Sequence, residues 1–248
     1  MRKYFYILLA LCALTACKKD DTLRYGNMTM GNIHGESIIS DQGNTFNIAE
    51  NLFNINLSAC KSERVMVLCD VLKETAENTY DIRLTGLTEV LAKNVKTMAD
   101  STPEEDLTTD DPLIIREIWY SGGYLNMSIE IAIKAGSGSI HYINLIHEGN
   151  QEQDGEYTFI LRHNASGEVP SADDREYSTS IGYVSFPIAG IIKGEAAKLN
   201  LKWKTFKVRN GWYDFYESES VDKGFNWSRS DYEHTPASIQ LKSAAVLK

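Results

Sequence analysis

Basic residues are in short supply in this chain: 25 Lys and Arg stand against 34 Asp and Glu, a formal charge of −9. Such a surface has no bulk attraction for phosphate backbones, which argues against nucleic acid as a partner. Cysteine is limited to four residues and proline to five, which excludes a disulfide-dense scaffold and a proline-rich spacer. After residue 16 there is no His-Glu-x-x-His, no Gly-x-Ser-x-Gly and no glycine loop of the phosphate-cradling kind, so the common signatures of metalloprotease, serine hydrolase and nucleotide chemistry are missing. The five histidines, His34, His141, His147, His163 and His234, are scattered. His141 and His147 would share a strand face, but six residues of extended chain hold them about 20 Å apart, too far for one metal. No stretch carries a helical stripe of four turns, and no second apolar run after the first is long enough to cross a membrane. These absences predict an all-β protein that is not an enzyme and carries no cofactor or metal.

What is present begins at the amino end. Met1-Arg2-Lys3 is a short positive start, and residues 4–13 are an uninterrupted apolar run. That pattern is a secretory signal peptide over residues 1–16, too short in its apolar core to be a stable transmembrane helix. Its ending, Leu14-Thr15-Ala16-Cys17, resembles a lipobox, which implies that the Cys17 thiol receives diacylglycerol and that cleavage frees its amine for acylation. Several acyl chains hold a protein stably, at ~0.8 kcal/mol per buried CH₂. The chain from Cys17 onward has 23 basic and 34 acidic residues, a charge of −11. Lys18-Lys19-Asp20-Asp21 resembles the export signal by which Gram-negative anaerobes send lipoproteins to the cell surface. The expected location is the outer membrane, surface-exposed, with a periplasm-facing anchor as the alternative.

Residues 17–24 form a short lipidated tether. Residues 25–96 read as short strands: Asn27-Met28-Thr29-Met30 alternates, and Asp41-Gln42-Gly43-Asn44 joins two alternating runs as a hairpin turn. Residues 65–72 are almost all apolar, as in a strand covered on both faces. About five strands in this length predict a small closed barrel. Residues 97–111 hold six acids, Pro103 and no basic or aromatic residue, the composition of an interdomain linker. From 112 to 248 strands recur between turns and predict an antiparallel β-sandwich. In residues 124–134, Leu125, Met127, Ile129, Ile131 and Ile133 alternate with Asn126, Ser128, Glu130 and Lys134, the pattern of a strand with one buried and one solvated face.

Cys60 and Cys69 are the cysteines left in the soluble body. An oxidising compartment permits a Cys60–Cys69 disulfide. Equally, Val65, Val67, Cys69 and Val71 share a face where a reduced thiol packs as a small hydrophobe. The aromatics Trp212, Tyr213, Tyr216, Trp227 and Tyr232 lie among carboxylates and Asn226. They are candidates to stack on sugar rings, or else fill the sandwich core. Asn150-x-Glu152-x-Asp154-Gly155 begins like a calcium loop, but Leu161 stands where the closing bidentate Glu is required. Asp21-Thr22-Leu23 and Asp100-Ser101-Thr102 resemble short O-glycosylation motifs, making Thr22 and Ser101 candidate modification sites.

Arg64-Val65-Met66-Val67, Tyr80-Asp81-Ile82-Arg83 and Glu89-Val90-Leu91-Ala92-Lys93-Asn94-Val95 resemble the N-terminal domain of NigD-like lipoproteins. Asp111-Pro112-Leu113-Ile114, Trp119, Gly122-Gly123-Tyr124-Leu125-Asn126 and His141-Tyr142-Ile143-Asn144-Leu145 resemble their C-terminal domain. The resemblance implies an N-terminal OB-like barrel, a C-terminal β-sandwich and a lipid anchor. It supplies no catalytic residue, since the family has no established activity and takes its name from a bacteriocin-associated gene neighbourhood. The polar segment 218–235 does not fit the family pattern. The expected function is a non-catalytic binding or accessory module for a glycan or protein ligand. A bacteriocin-associated accessory or immunity role is the alternative, and a hydrolase with two facing carboxylates is a second alternative.

Overall fold

The computed structural model describes residues 28–100, 107–148, 155–170, 176–209 and 212–228. Its first five strands are β1 (Thr29–His34), β2 (Ser37–Ser40), β3 (Thr45–Asn51), β4 (Arg64–Ala76) and β5 (Thr79–Glu89), which close into a barrel in the order β1-β2-β3-β5-β4. Neighbours are antiparallel except β3 and β5, which run parallel. That order is the topology of an OB-like barrel.

The unbroken apolar run in β4 follows from two different burials. Val65, Val67, Cys69 and Val71 enter the barrel core with Ile38, Phe46, Ile82 and Leu84. Met66 and Leu68 point the other way, into a cluster with Met28, Met30, Val90, Trp119 and Tyr183. Trp119 and Tyr183 belong to the second domain, so this strand is covered from within by its own barrel and from outside by its neighbour.

That neighbour comprises β6 (Leu91–Ala92), β7 (Ile114–Ser121), β8 (Tyr124–Lys134), β9 (Tyr142–His147), β10 (Glu156–Asn164), β11 (Tyr177–Pro187), β12 (Ala196–Arg209) and β13 (Trp212–Ser228). They form two sheets, β6-β11-β8-β7 and β13-β12-β10-β9. Leu125, Met127, Ile129 and Ile131 from one sheet meet Ile143, Leu145, Phe159, Leu161, Leu199 and Leu201 from the other in one core. The all-β architecture, a barrel followed by a β-sandwich, is thus as expected.

Three local expectations change. Leu91 and Ala92, placed with the barrel by sequence, pair in parallel with Val184 and Ser185 of the sandwich, because the chain leaves β4 for β11 directly after Glu89. The acidic segment is not a free linker at its end: Leu107 is buried, the Asp111 N–H donates to the His163 carbonyl, and the Asp111 carboxylate accepts from the Ala165 N–H. Finally, the polar segment beginning at Ser218 continues β13 as far as Ser228, antiparallel to β12.

The polar face of β8 is not solvated either. Asn126, Ser128 and Glu130 are all buried. Glu130 is covered by Arg116, whose guanidinium it accepts from. Asn126 joins a network that fastens the two domains together. Arg64, at the start of β4, places its guanidinium in bidentate contact with Asp41 at 2.5 and 2.7 Å, and both side chains are 1% exposed. The same guanidinium donates to Asn126 Oδ1 at 3.1 Å and Ser185 Oγ at 3.4 Å and lies 4.2 Å from the centre of the Tyr124 ring. Ser121 donates to Asp41 Oδ2, and Asn126 donates to Ser121 Oγ. Gly122 makes the approach of Asp41 feasible: it has φ +58°, and a Cβ there would lie 2.5 Å from Asp41 Oδ1.

Breaking a buried pair strands the remaining charge, at a cost of about 3–5 kcal/mol. Asp41→Ala is therefore expected to lower the unfolding free energy by about that amount, read by urea denaturation. The double change Asp41→Leu with Arg64→Met should cost less than Asp41→Ala alone, because it strands no charge. Gly122→Ala should also destabilise, by forcing a side chain into Asp41 and into a left-handed backbone.

Candidate functional site

The crossing of the chain from barrel to sandwich opens a groove. β5 stays with β4 up to Glu89, which pairs with Val65, while β6 two residues later lies against β11. The strands diverge, and a space of about 970 Å³ opens between the domains. Its barrel wall includes Asn32, Cys60, Glu63 and Leu87, and its sandwich wall includes Leu91, Gly182 and Tyr183. The barrel wall is braced. Glu89 accepts from the Lys61 and Ser62 N–H groups at 2.7 and 3.0 Å, and Ser62 donates its hydroxyl to the Val90 carbonyl at 2.6 Å. The groove is accordingly a feature of the folded body, held by the same segment that carries Arg64.

Electrostatically the groove has no surplus of positive charge. Lys61 is balanced by Glu63 and Glu89 among the lining residues, and Arg64 is engaged by Asp41. Burial, followed by the nearby Glu89 carboxylate, raises the Cys60 thiol above its ordinary pKa. The thiol of Cys60 is thus held protonated and is a poor nucleophile.

Residues 94–216 match the family model described as the NigD-like C-terminal beta sandwich domain. The sandwich is a NigD-like domain. Solved structures share the fold over most of the chain. A NigD-like immunity protein from Bacteroides caccae is 21% identical with TM-score 0.59, over 82% of this chain and 95% of that one. A protein from Parabacteroides distasonis provisionally described as toxin-related is 20% identical with TM-score 0.55, over 82% and 94%. A protein from Bacteroides fragilis provisionally described as a lipoprotein is 13% identical with TM-score 0.56, over 82% and 97%. At these identities the likeness is one of fold. A search of curated proteins finds no match.

Of the aromatic candidates, only Trp227 has a described side chain. Trp227 is 3% exposed and packs edge-on against Tyr120 in the sandwich core, ring centres 5.4 Å apart. It belongs to the core and also lines a space of about 440 Å³ with Trp119, Tyr120 and Phe225. Trp212, Tyr213 and Tyr216 lie on the backbone of β13, but their side chains, like all of Tyr232, fall outside the described residues. Cys17, Thr22 and Ser101 fall outside them too, as do Asn150, Glu152 and Asp154. Cys60 and Cys69 are both free thiols, Cys60 at the groove and Cys69 in the barrel core. Burial, then the neighbouring Asp70, pushes Cys69 up to about 12, the behaviour of a small hydrophobe. Arg64, Asp41, Asn126 and Ser185 escaped the sequence reading. The one available signal was an arginine opening an otherwise apolar strand.

A second buried polar cluster lies in the sandwich. His141 Nδ1 and His163 Nε2 are 3.0 Å apart, His163 Nδ1 faces the Pro112 carbonyl at 3.3 Å, and His141 Nε2 faces Glu168 at 3.5 Å. All three side chains are buried. Two neutral imidazoles supply two N–H groups for these three contacts. A consistent assignment has His163 donating to Pro112 and His141 donating to His163. Glu168 is still satisfied, by Ser137, Ser139 and the Lys134 N–H. The facing nitrogens bond each other and do not converge on a metal, and no cluster able to hold a metal ion occurs among the described residues.

Burial, then the adjacent His141, lowers His163 to about 3, and burial lowers His141 as well. For Glu168 burial acts upward, but the hydrogen bonds from Ser137, Ser139 and the Lys134 N–H outweigh it and bring the carboxyl to about 2. All three shifts have the same consequence. The unfolded chain binds more protons than the folded one, so stability is complete above pH 6.5 and is lost as pH falls toward 3 for His163, and between 4.5 and 2 for Glu168. The thermal midpoint is expected to fall steadily from pH 7 to pH 4. His163→Gln, which cannot titrate, should flatten that slope, and a slope unchanged by the substitution would refute the assignment.

Proposed function

We propose that this NigD-like chain is a non-catalytic binding module that takes up a polypeptide in the interdomain groove, in a bacteriocin-associated accessory or immunity role. The observation that carries the reading is the groove itself, with a braced wall on one side and, at Gly182 and Tyr183 on the other, the end of the uncovered edge of a strand, β11. Strand edges recognise polypeptide backbone through main-chain hydrogen bonds. The reading is supported by two structural relatives, one described as an immunity protein and the other provisionally as toxin-related. It needs no cofactor. Trp227, one of the rings expected to stack on a glycan, is almost wholly buried, which favours the polypeptide over the glycan. On this reading the body is carried at the outer membrane by lipid on Cys17, on the surface side, where a secreted polypeptide is first met.

Two exposed lining residues, Glu63 and Ala92, allow the groove to be filled without touching either core. A sensitive strain expressing the chain should survive a bacteriocin producer that carries the same gene neighbourhood. Ala92→Trp or Glu63→Arg should reduce survival at least tenfold while leaving the thermal midpoint unchanged. Survival that is indifferent to the filled groove would sink the proposal.

A further inference from the structure

The sandwich has four sheet edges, and three of them are protected. β13 carries Glu217, Glu219, Asp222 and Lys223 along its length, and charges on an edge strand oppose the addition of another strand. β7 carries Arg116 and Glu117, with a bulge between Ile115 and Glu117. β9 is covered by the segment at Lys96, whose N–H donates to the Leu145 carbonyl and whose carbonyl accepts from the His147 N–H.

β11 is different. It pairs with β8 along its whole length with no register shift, but β6 covers it only at Val184 and Ser185. The uncovered part, Tyr177-Ser178-Thr179-Ser180-Ile181-Gly182-Tyr183, has no charge, no proline and no bulge. The Glu176 carbonyl accepts from the Ala135 N–H, toward β8, whereas the Ser185 carbonyl accepts from the Lys93 N–H, on the opposite side. Bonding direction alternates along a strand, so Tyr177, Thr179 and Ile181 turn their N–H and C=O groups to the open side. Among the described residues no strand pairs with them there.

We infer that this edge is a strand-addition site for an extended segment of a partner polypeptide, which is how the groove would take its ligand; the inference rests on the binding reading above. The occupant is a single strand for a steric reason. A strand needs 4.7–4.9 Å of lateral spacing beside β11, but the barrel wall at Asn32 and residues 60–64 stands across the groove from Gly182 and Tyr183. At that end of the edge a strand backed by its own sheet, such as the β11 edge of a second copy, would meet that wall, whereas a lone strand can enter the groove. Ile55, Leu87, Leu91 and Tyr183 line the space, which suits a segment with apolar side chains at alternate positions.

The experiment has two parts. Amide exchange on the chain alone should show alternation, with Ser178, Ser180 and Gly182 slow and Tyr177, Thr179 and Ile181 fast. Slow exchange at the latter three would mean that the chain already covers this edge itself, and would overturn the inference. A phage-displayed library of random twelve-residue peptides is then panned against the chain. Enriched peptides should slow Thr179 and Ile181. Thr179→Pro, which removes an outward N–H and no β8 bond, should weaken their binding at least tenfold without moving the thermal midpoint. Peptides that bind with full affinity to Thr179→Pro, or protect another region, overturn strand addition. If such peptides are still displaced by Ala92→Trp, the groove-binding reading survives. Failure to enrich any peptide counts against both.

Discussion

The contact between Arg64 and Asp41 fixes the geometry on which the rest depends. Both side chains are 1% exposed, and desolvating a pair of charges so completely gains little net stability compared with a well-packed apolar substitute. What the pair supplies is direction. A guanidinium with two carboxylate bonds, bonds to Asn126 and Ser185 and a ring beneath it has one satisfactory orientation. The apolar cluster around Met30, Met66 and Trp119 could slide by a methyl group at small cost; the polar network could not, because any shift leaves buried donors unmatched. The groove opens beside this network, with Arg64 and Tyr124 among the residues that line it.

The barrel is used unusually as a result. OB-like barrels commonly bind ligands on the face flanked by the loops between their first and second, and fourth and fifth, strands. Here those connections are two residues each, Gly35-Glu36 and Glu77-Asn78, too short to form walls. The barrel's own ligand face is therefore undeveloped, and the surface it contributes lies at the junction, where residues 60–64 face the sandwich. The barrel works as one side of a shared cleft.

Much of this was legible in the sequence, and the failures have physical causes. The period-2 run in β8 and the continuous apolar run in β4 gave the right strands, because alternation and double burial leave direct traces in residue type. The polar face of β8 was read as solvated because Asn126, Ser128 and Glu130 are polar; nothing local distinguishes a serine facing water from one facing another domain. The polar segment from Ser218, which does not fit the family pattern, continues β13 to Ser228, because an edge strand with one solvated side needs few apolar residues. Leu91 and Ala92 read with the barrel yet pair with β11, since a change of pairing partner does not alter the strand pattern. The Arg64 network is long-range, joining positions up to 121 apart in sequence, and only the fold brings them together.

The bare edge of β11 raises a question of solubility that the domain arrangement answers. A regular, uncharged strand edge is a template for aggregation, and most proteins protect such edges with charge, proline or a bulge. In this chain protection is supplied at a distance. The barrel stands across the groove as a barrier to sheets, and Arg64 and Asp41 hold it there. If β11 takes up a strand as proposed, selectivity for a lone strand and resistance to sheet-to-sheet association have the same cause. This accounts for the retention of a buried ion pair whose net effect on stability is small: loosening the domains would widen the groove and expose the edge to any sheet that met it.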